Sequence, residues 1–210
     1  MNHAERIAPL DAMRGLAALG VLAFHFLWTN PSVPAGALKS LGYYGWLGVP
    51  VFFVISGLVI PHSLHRGGYR VSDYFIFVCK RLARLEPPYL ASILVVVLVW
   101  CVYRLWPYVP HPSPFADPKG LVLHLGYLNA FFGRRWLNPV YWTLAIEFQY
   151  YVGVGLLYPL LAHTRRAARL AVMSLLASAV FLVPGDQFIF LHLPHFFVGT
   201  ALFQHRAGLT

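Results

Sequence analysis

Arg14 and His25 lie within the first long apolar stretch of the chain, LDAMRGLAALGVLAFHFLW, Leu10 to Trp28, and hydropathy alone explains neither. At about 1.5 Å rise per residue, the eleven-residue step between them is roughly 16 Å, about half a bilayer core. Arg14 can then sit at the headgroup level while His25 lies near mid-membrane. An ionisable group at that depth is costly and marks a functional site by default. A neutral imidazole can take a proton from an alcohol and return one to a leaving group near neutral pH. The plainer alternatives are a core histidine bonded to a neighbouring helix and an arginine that anchors at the interface through its aliphatic stem.

Glu147, in YWTLAIEFQYYVGVGLLYPLL, is the second candidate. If its helix enters from the outer face, Glu147 is roughly 10 Å deep and can meet His25 at one level from the opposite direction. There it would orient the imidazole and balance its protonated form, or else pair with a basic residue. Lys80, Arg81 and Arg84 form the third set. Arg81 and Arg84, three apart, share a helical face, and guanidinium forks suit the phosphates of a cytosolic cosubstrate. Contact with lipid phosphates is the competing reading. Ser56 and Thr143 are hydroxyls with no visible activating neighbour, and Trp142 reads as belt aromatic or pocket lining. His62/His65 and His192/His195 have i,i+3 spacing but no acidic or cysteine partner in a metal pattern, so no metal site is expected. Cys79 and Cys101 suggest packing, not thiol chemistry.

The elements that must position these residues are apolar. The chain is 59% hydrophobic and 11% charged, with mean hydropathy +0.62, and a soluble domain carries about twice that charged fraction. The net charge of +9 falls between apolar segments, which favours anionic headgroups over nucleic acid. Asp11 and Arg14 argue against a signal peptide in the first segment. The expected fold is an all-α, polytopic membrane bundle of about six spans: Leu10–Trp28, Trp46–Ile60, Tyr89–Trp106, Val140–Leu161, Leu170–Val183 and Phe188–Phe203. Asn30 to Gly45 reads as a loop, and SDYFIFVCKRLARL as an interfacial amphipathic helix N-capped by Ser72. Pro87 and Pro88 fall at the first turn of the next span, and a Pro-rich loop runs from Pro107 to Pro118. Gly120 to Gly133 is too short to cross comfortably. If it does not cross, Lys and Arg divide eleven inside against five outside; if it does, nine against seven. The first division favours six spans, both termini cytoplasmic, and a re-entrant or surface segment after Pro118.

Taken together, the motifs resemble the membrane acyltransferase-3 family of O-antigen, exopolysaccharide and macrolide O-acyltransferases. LDAMRGLAALGVLAFH is similar to its first-helix signature, and GVPVFFVISGLVI, with Phe53 and Ser56, to its GVxxFFVxSGFxI pattern. KRLARLEPPY resembles RRxxRLxPxY, YWTLAIEFQYY resembles WSLxxEEQFYL, and PHFFVGTAL resembles a later F-x-x-G helix. Thr143 stands where Ser is usual, Phe148 where a second acid is common, Leu58 where Phe is common, and Glu86 where an aromatic is frequent.

The resemblance implies an inner-membrane enzyme of one domain, residues 1–210, moving an acyl group (most often acetyl) from acyl-CoA to a hydroxyl of a carbohydrate, glycolipid or similar acceptor. It implies His25 as base or proton shuttle and Glu147 as its partner. Arg14, Lys80, Arg81 and Arg84 would hold CoA phosphates, and Trp142, Ser56, Thr143 and Phe53 would line the substrate side. Acyl-CoA would be a cosubstrate, with no tightly bound cofactor. Family members have about ten spans, so the expectation is an incomplete domain, with a partner subunit as one source of further helices. The alternatives are an inactive, truncated subunit and a transport or lipid-carrier protein with a proton path through His25.

Overall fold

The computed structural model describes residues 8–105, 117–162, 165–183 and 185–209. Arg6 and the proline-rich loop up to residue 116 lie outside them. All regular structure among the described residues is helical: α1 (Ala8–Ala23) runs into a π turn (Phe24–Trp28), followed by α2 (Ala37–Tyr43) and α3 (Gly48–Arg66). Then come α4 (Tyr74–Arg104), α5 (Pro118–Leu123), α6 (Tyr141–Ala162), α7 (Arg166–Ser178) and α8 (Ile189–Arg206). Among the described residues four helical stretches are long and apolar enough to cross a membrane: Pro9–Trp28, Ala37–Arg66, Val71–Arg104 and Tyr141–Ala162. Their large apolar side chains are widely exposed, as at Leu16, Leu19, Leu94, Leu98 and Val102. Lipid explains such continuous apolar surface where water does not.

Three expectations change. The loop from Asn30 to Gly45 contains α2, which continues through a 3-10 turn (Tyr44–Leu47) into α3, so the second apolar run is far longer than Trp46 to Ile60. The expected interfacial helix and the third span are one helix, α4, with Pro87 and Pro88 inside it. The prolines release the carbonyls of Ala83 and Arg84 from the ladder. Packing on both sides carries the helix past them: Leu82, Leu85, Tyr89 and Ile93 all join one cluster with Tyr127 and Tyr141. Ser72 does not cap the segment; it lies in a 3-10 turn (Val71–Asp73) ahead of α4, in which Asp73 Oδ2 accepts from the Arg70 N–H at 3.1 Å.

The chain forms two compact units. The first comprises Met1–Gly68, Leu160–Leu182 and Phe190–Thr210; the second comprises Tyr69–Pro159 and Val183–Ile189. In the first unit α1 runs antiparallel to the α2–α3 rod, since Gly20 meets Gly45 and Ala17 meets Gly48. α3 and α8 run parallel: Phe53 stacks on Phe196 at 4.8 Å, and His65 meets Phe203 at 5.7 Å. Their backbones touch, because a Cβ at Gly57 would run into the Phe196 carbonyl and one at Gly199 into that of Val54. Thr200 Oγ1 sits at this crossing, 3.0 Å from the Phe196 carbonyl and 3.3 Å from that of Gly57. Near the end of α8, Gln204 donates to the Leu161 carbonyl at 2.9 Å, tying down the last turn of α6.

In the second unit α4 and α6 are antiparallel, with Tyr89 against Tyr141 at one end and Tyr69 donating to the Gly155 carbonyl at the other. Gly199→Ala is expected to cost about 1–3 kcal/mol, because the helices must part to admit a methyl group. Gly153→Ala, with nothing within 4 Å of its added carbon, is expected to be neutral or slightly stabilising; unfolding of the two variants in detergent measures the contrast.

Candidate active site

His25 lies in the π turn that ends the first helix. The turn is closed by the Thr29 N–H donating to the Phe24 carbonyl at 3.1 Å, and the Thr29 hydroxyl donates to the His25 carbonyl at 2.8 Å. Widened turns of this kind recur at functional sites. Gly42 of α2 supports it from one side, because a Cβ there would lie 2.7 Å from Leu27 Cβ. Arg14, Val21 and His25 follow one stripe at about 100° per residue, and Val21 faces Gly48 at the start of α3. Arg14 and His25 lie at the flank of the α1 face that meets α2 and α3, and each is half-buried. The His25 ring stands edge-on to Phe24 at 5.3 Å. Arg14 lies 3.8 Å from Asp11, one turn earlier, an exposed pair that contributes little to stability.

Glu147 and the basic set belong to the second unit. Glu147 Oε1 accepts from Tyr151 Oη at 2.7 Å, and Arg81 lies over the Tyr151 ring at 5.7 Å and the Phe77 ring at 5.4 Å. Tyr151 thus links the arginine of α4 to the carboxylate of α6. Lys80 and Arg84 are exposed, so Arg81 alone of the three turns onto α6. Thr143 Oγ1 donates to the Val140 carbonyl at 2.8 Å, which engages its hydrogen in the first turn of α6. Trp142 is half-buried beside it. Phe53 and Ser56 are buried in the first unit, with Phe53 stacked on Phe196 and 5.3 Å from the His192 ring.

A polar cluster that the sequence reading did not anticipate lies where residues 117–137 pack on α4 and α6. Asp117 caps α5 by accepting from the Gly120 N–H at 3.0 Å, and Asn129 donates to the Gly120 carbonyl at 2.9 Å. This folded loop inserts His124 and Tyr127 against Tyr89. His124 Nε2 accepts the Leu137 N–H at 3.3 Å, so the neutral ring carries its proton on Nδ1 and donates it to Tyr89 Oη, 2.7 Å away. Tyr127 is the one non-glycine residue with positive φ (56°) among the described residues. That strained backbone stacks its ring on Tyr89 at 4.8 Å and against Phe148 at 5.3 Å. Burial first, and the Glu86 charge second, hold the Tyr127 phenol above its ordinary pKa. The available signal was a histidine in an otherwise apolar run next to an Asp-Pro helix start. A cavity of about 540 Å³ in the same unit is lined by Lys119, Val122, Leu123, Phe132 and Arg134, with Pro118 at its edge. None of the side chains nominated from sequence lines it.

Helices of membrane-spanning length thus carry a histidine and an arginine in the first unit and, in the second, a carboxylate braced by a tyrosine. The chain belongs to the acyltransferase-3 family, described as an acyltransferase domain, which matches residues 7–210. It is 31% identical over 180 residues to "Putative acetyltransferase ORF330" of Acidianus two-tailed virus, covering 86% of this chain and 48% of that protein. It is 29% identical over 169 residues to the O-acetyltransferase OatA of Staphylococcus aureus, 77% of this chain and 26% of that one. It is likewise 29% identical over 182 residues to the "Putative membrane-bound transacylase BcsY" of Komagataeibacter xylinus, 77% and 40% respectively. The chain thus spans about half or less of these relatives. No solved structure matches it.

Burial holds the His124 pKa below its ordinary 6.5. The unfolded chain therefore binds more protons than the folded one as pH falls below 6.5, and stability is expected to drop through that range. Unfolding midpoints recorded against pH should show this slope in the native chain and lose it in His124→Gln. Tyr89→Phe, which leaves the buried Nδ1–H without its acceptor, should cost about 1–3 kcal/mol.

Proposed function

We propose that this chain is the membrane-embedded part of an O-acyltransferase that moves an acyl group, acetyl first, from acyl-CoA to a hydroxyl of a carbohydrate or lipid-linked acceptor. The observation that carries the reading is His25, a half-buried imidazole set in the π turn that ends the first helix. As the acceptor oxygen attacks the thioester carbonyl, His25 takes its proton. The C–S bond then breaks, the ester forms, and the imidazolium returns the proton to the departing thiolate. Glu147 is the carboxylate assigned to the reaction, held within the second unit by Tyr151, whose ring Arg81 covers. Arg14, Arg81, Arg84 and Lys80 attract the CoA phosphates, with guanidinium forks matched to phosphate oxygens. Trp142 and Thr143 of α6, and Phe53 and Ser56 of α3, are the residues assigned to substrate binding.

Residues 1–210 are read as one domain of an inner membrane, crossing six times with both ends cytoplasmic. The parallel course of α3 and α8 supports this topology. α3, α6 and α8 finish at one end of the first unit, where Gln204 meets Leu161 and His65 meets Phe203. An even number of crossings must then separate Arg66 from Leu161. α4 and α6 supply two, and the longest helix between them among the described residues, α5, has six residues.

His25→Ala is expected to lower CoA release with a hydroxyl acceptor by at least about 10²-fold while membrane insertion is unchanged; near-normal turnover removes the catalytic assignment. Reporter fusions at Gly133 and Arg166 should report opposite faces, and the same face for both would defeat the six-span reading.

A further inference from the structure

The folded loop that holds His124 and Tyr127 against Tyr89 also carries the cavity, an open groove of different chemistry. Its volume is about 540 Å³; Pro118, Val122, Leu123 and Phe132 give it apolar walls, and Lys119 and Arg134 complete it. Cavities of roughly 300–1,000 Å³ receive organic ligands, so a lone ion would leave this one unfilled. Among its described lining residues the polar side chains are both cations. Sugar hydroxyls and base edges need neutral donors and acceptors, which this lining does not offer through side chains. The ligand that fits joins an apolar body to an anion.

One buried side chain sets the two cations in place. Asn129 donates to the Gly120 carbonyl at 2.9 Å, one residue beyond Lys119, and to the Arg135 carbonyl at 3.3 Å, one beyond Arg134. Its own carbonyl accepts the Arg134 N–H at 2.8 Å, and Gly133, with φ of 62°, turns the chain just before it. Lys119 and Arg134 are therefore anchored from one clasp before any ligand arrives. Arg134 Nη1 lies 3.5 Å from Asp117, which leaves its other N–H groups for a second acceptor. Around the groove the loop exposes large apolar side chains, Val122, Leu125 and Phe131 among them. Lipid accounts for such a surface better than water does, and a hydrocarbon chain can enter from it sideways.

We propose that this groove binds an anionic lipid with a phosphate headgroup, one chain lying along Val122, Leu123 and Phe132 and the phosphate held by Lys119 and Arg134. The guanidinium fork and the ammonium point charge approach from two segments of the loop. A phosphate can give each of them a separate oxygen, whereas a carboxylate has two oxygens in one plane. The site uses none of the residues assigned to acyl transfer, so it stands or falls separately from that reading.

The test measures lipid retention by the purified full chain in dodecyl maltoside, using native mass spectrometry. Four probes are compared: dioleoyl phosphatidic acid, dioleoylglycerol without the phosphate, oleate with a carboxylate instead, and glycerol 3-phosphate without the chains. The native chain is expected to retain one phosphatidic acid with an affinity at least about tenfold above that for dioleoylglycerol. Lys119→Gln/Arg134→Gln should lose that preference, and Lys119→Arg/Arg134→Lys should keep most of it. Val122→Trp, which fills the groove from an exposed position, should lose the bound lipid although both cations remain. Equal retention of phosphatidic acid and dioleoylglycerol, or oleate held as tightly as phosphatidic acid, overturns the site. So does native-like retention by the glutamine pair or by Val122→Trp, or binding of glycerol 3-phosphate as tight as that of the lipid. Loss of the lipid in the charge-keeping pair at a native unfolding midpoint also overturns it. If the glutamine pair does not fold, Val122→Trp and the native ranking of the four probes decide.

Discussion

The contact between the backbones of α3 and α8 governs most of the first unit. In lipid, apolar side chains gain little by leaving one apolar surroundings for another, so helices associate where small residues permit close approach. Gly57 and Gly199 permit it reciprocally, and Thr200 joins the two backbones at the crossing. The same crossing fixes the register that brings Phe53 onto Phe196 and sets the ends of the two helices level. One geometric constraint thus determines side-chain positions separated by more than a hundred residues in sequence.

Much of this was legible from spacing. Eleven residues are close to three helical turns, so Arg14 and His25 had to share a side of α1 whatever packed against it. The π turn was not legible, because it depends on how near α2 approaches, and Gly42 reads in sequence only as a small residue in a loop. Pro87 and Pro88 misled for a related reason. A proline pair predicts a helix start from local backbone chemistry, yet Leu82 and Leu85 before it and Tyr89 after it are held by one cluster. Tertiary packing overrode the local preference. The carboxylate of Glu147 was legible as an anomaly, but its brace through Tyr151 needed the four-residue periodicity of α6 to be read as a contact.

His124 and Tyr127 show where periodicity runs out. His124 opens a three-residue 3-10 turn and Tyr127 caps its end, too short a piece for an amphipathic stripe, and their positions come from long-range partners: Tyr89, Leu137 and Phe148. The physical logic is still simple. A folded loop that enters apolar surroundings must satisfy its polar groups internally. Asp117, Asn129 and His124 do that, each from a side chain. The positive φ of Tyr127 is stabilised by its two stacked rings.

The course of α7 follows from the same ends. α6 finishes beside Gln204 near the end of α8, and Arg169 in the first turn of α7 donates to the Leu209 carbonyl. α7 therefore starts where α3, α6 and α8 stop. Since α8 must begin a full helix length away, the chain from Arg166 to Ile189 has to return to the opposite end. α7 and its 3-10 extension to Phe181 amount to sixteen residues, or roughly 25 Å of rise. That is a few ångströms short of a bilayer core, and the span expected over Leu170–Val183 is not among the four described stretches long and apolar enough to cross a membrane.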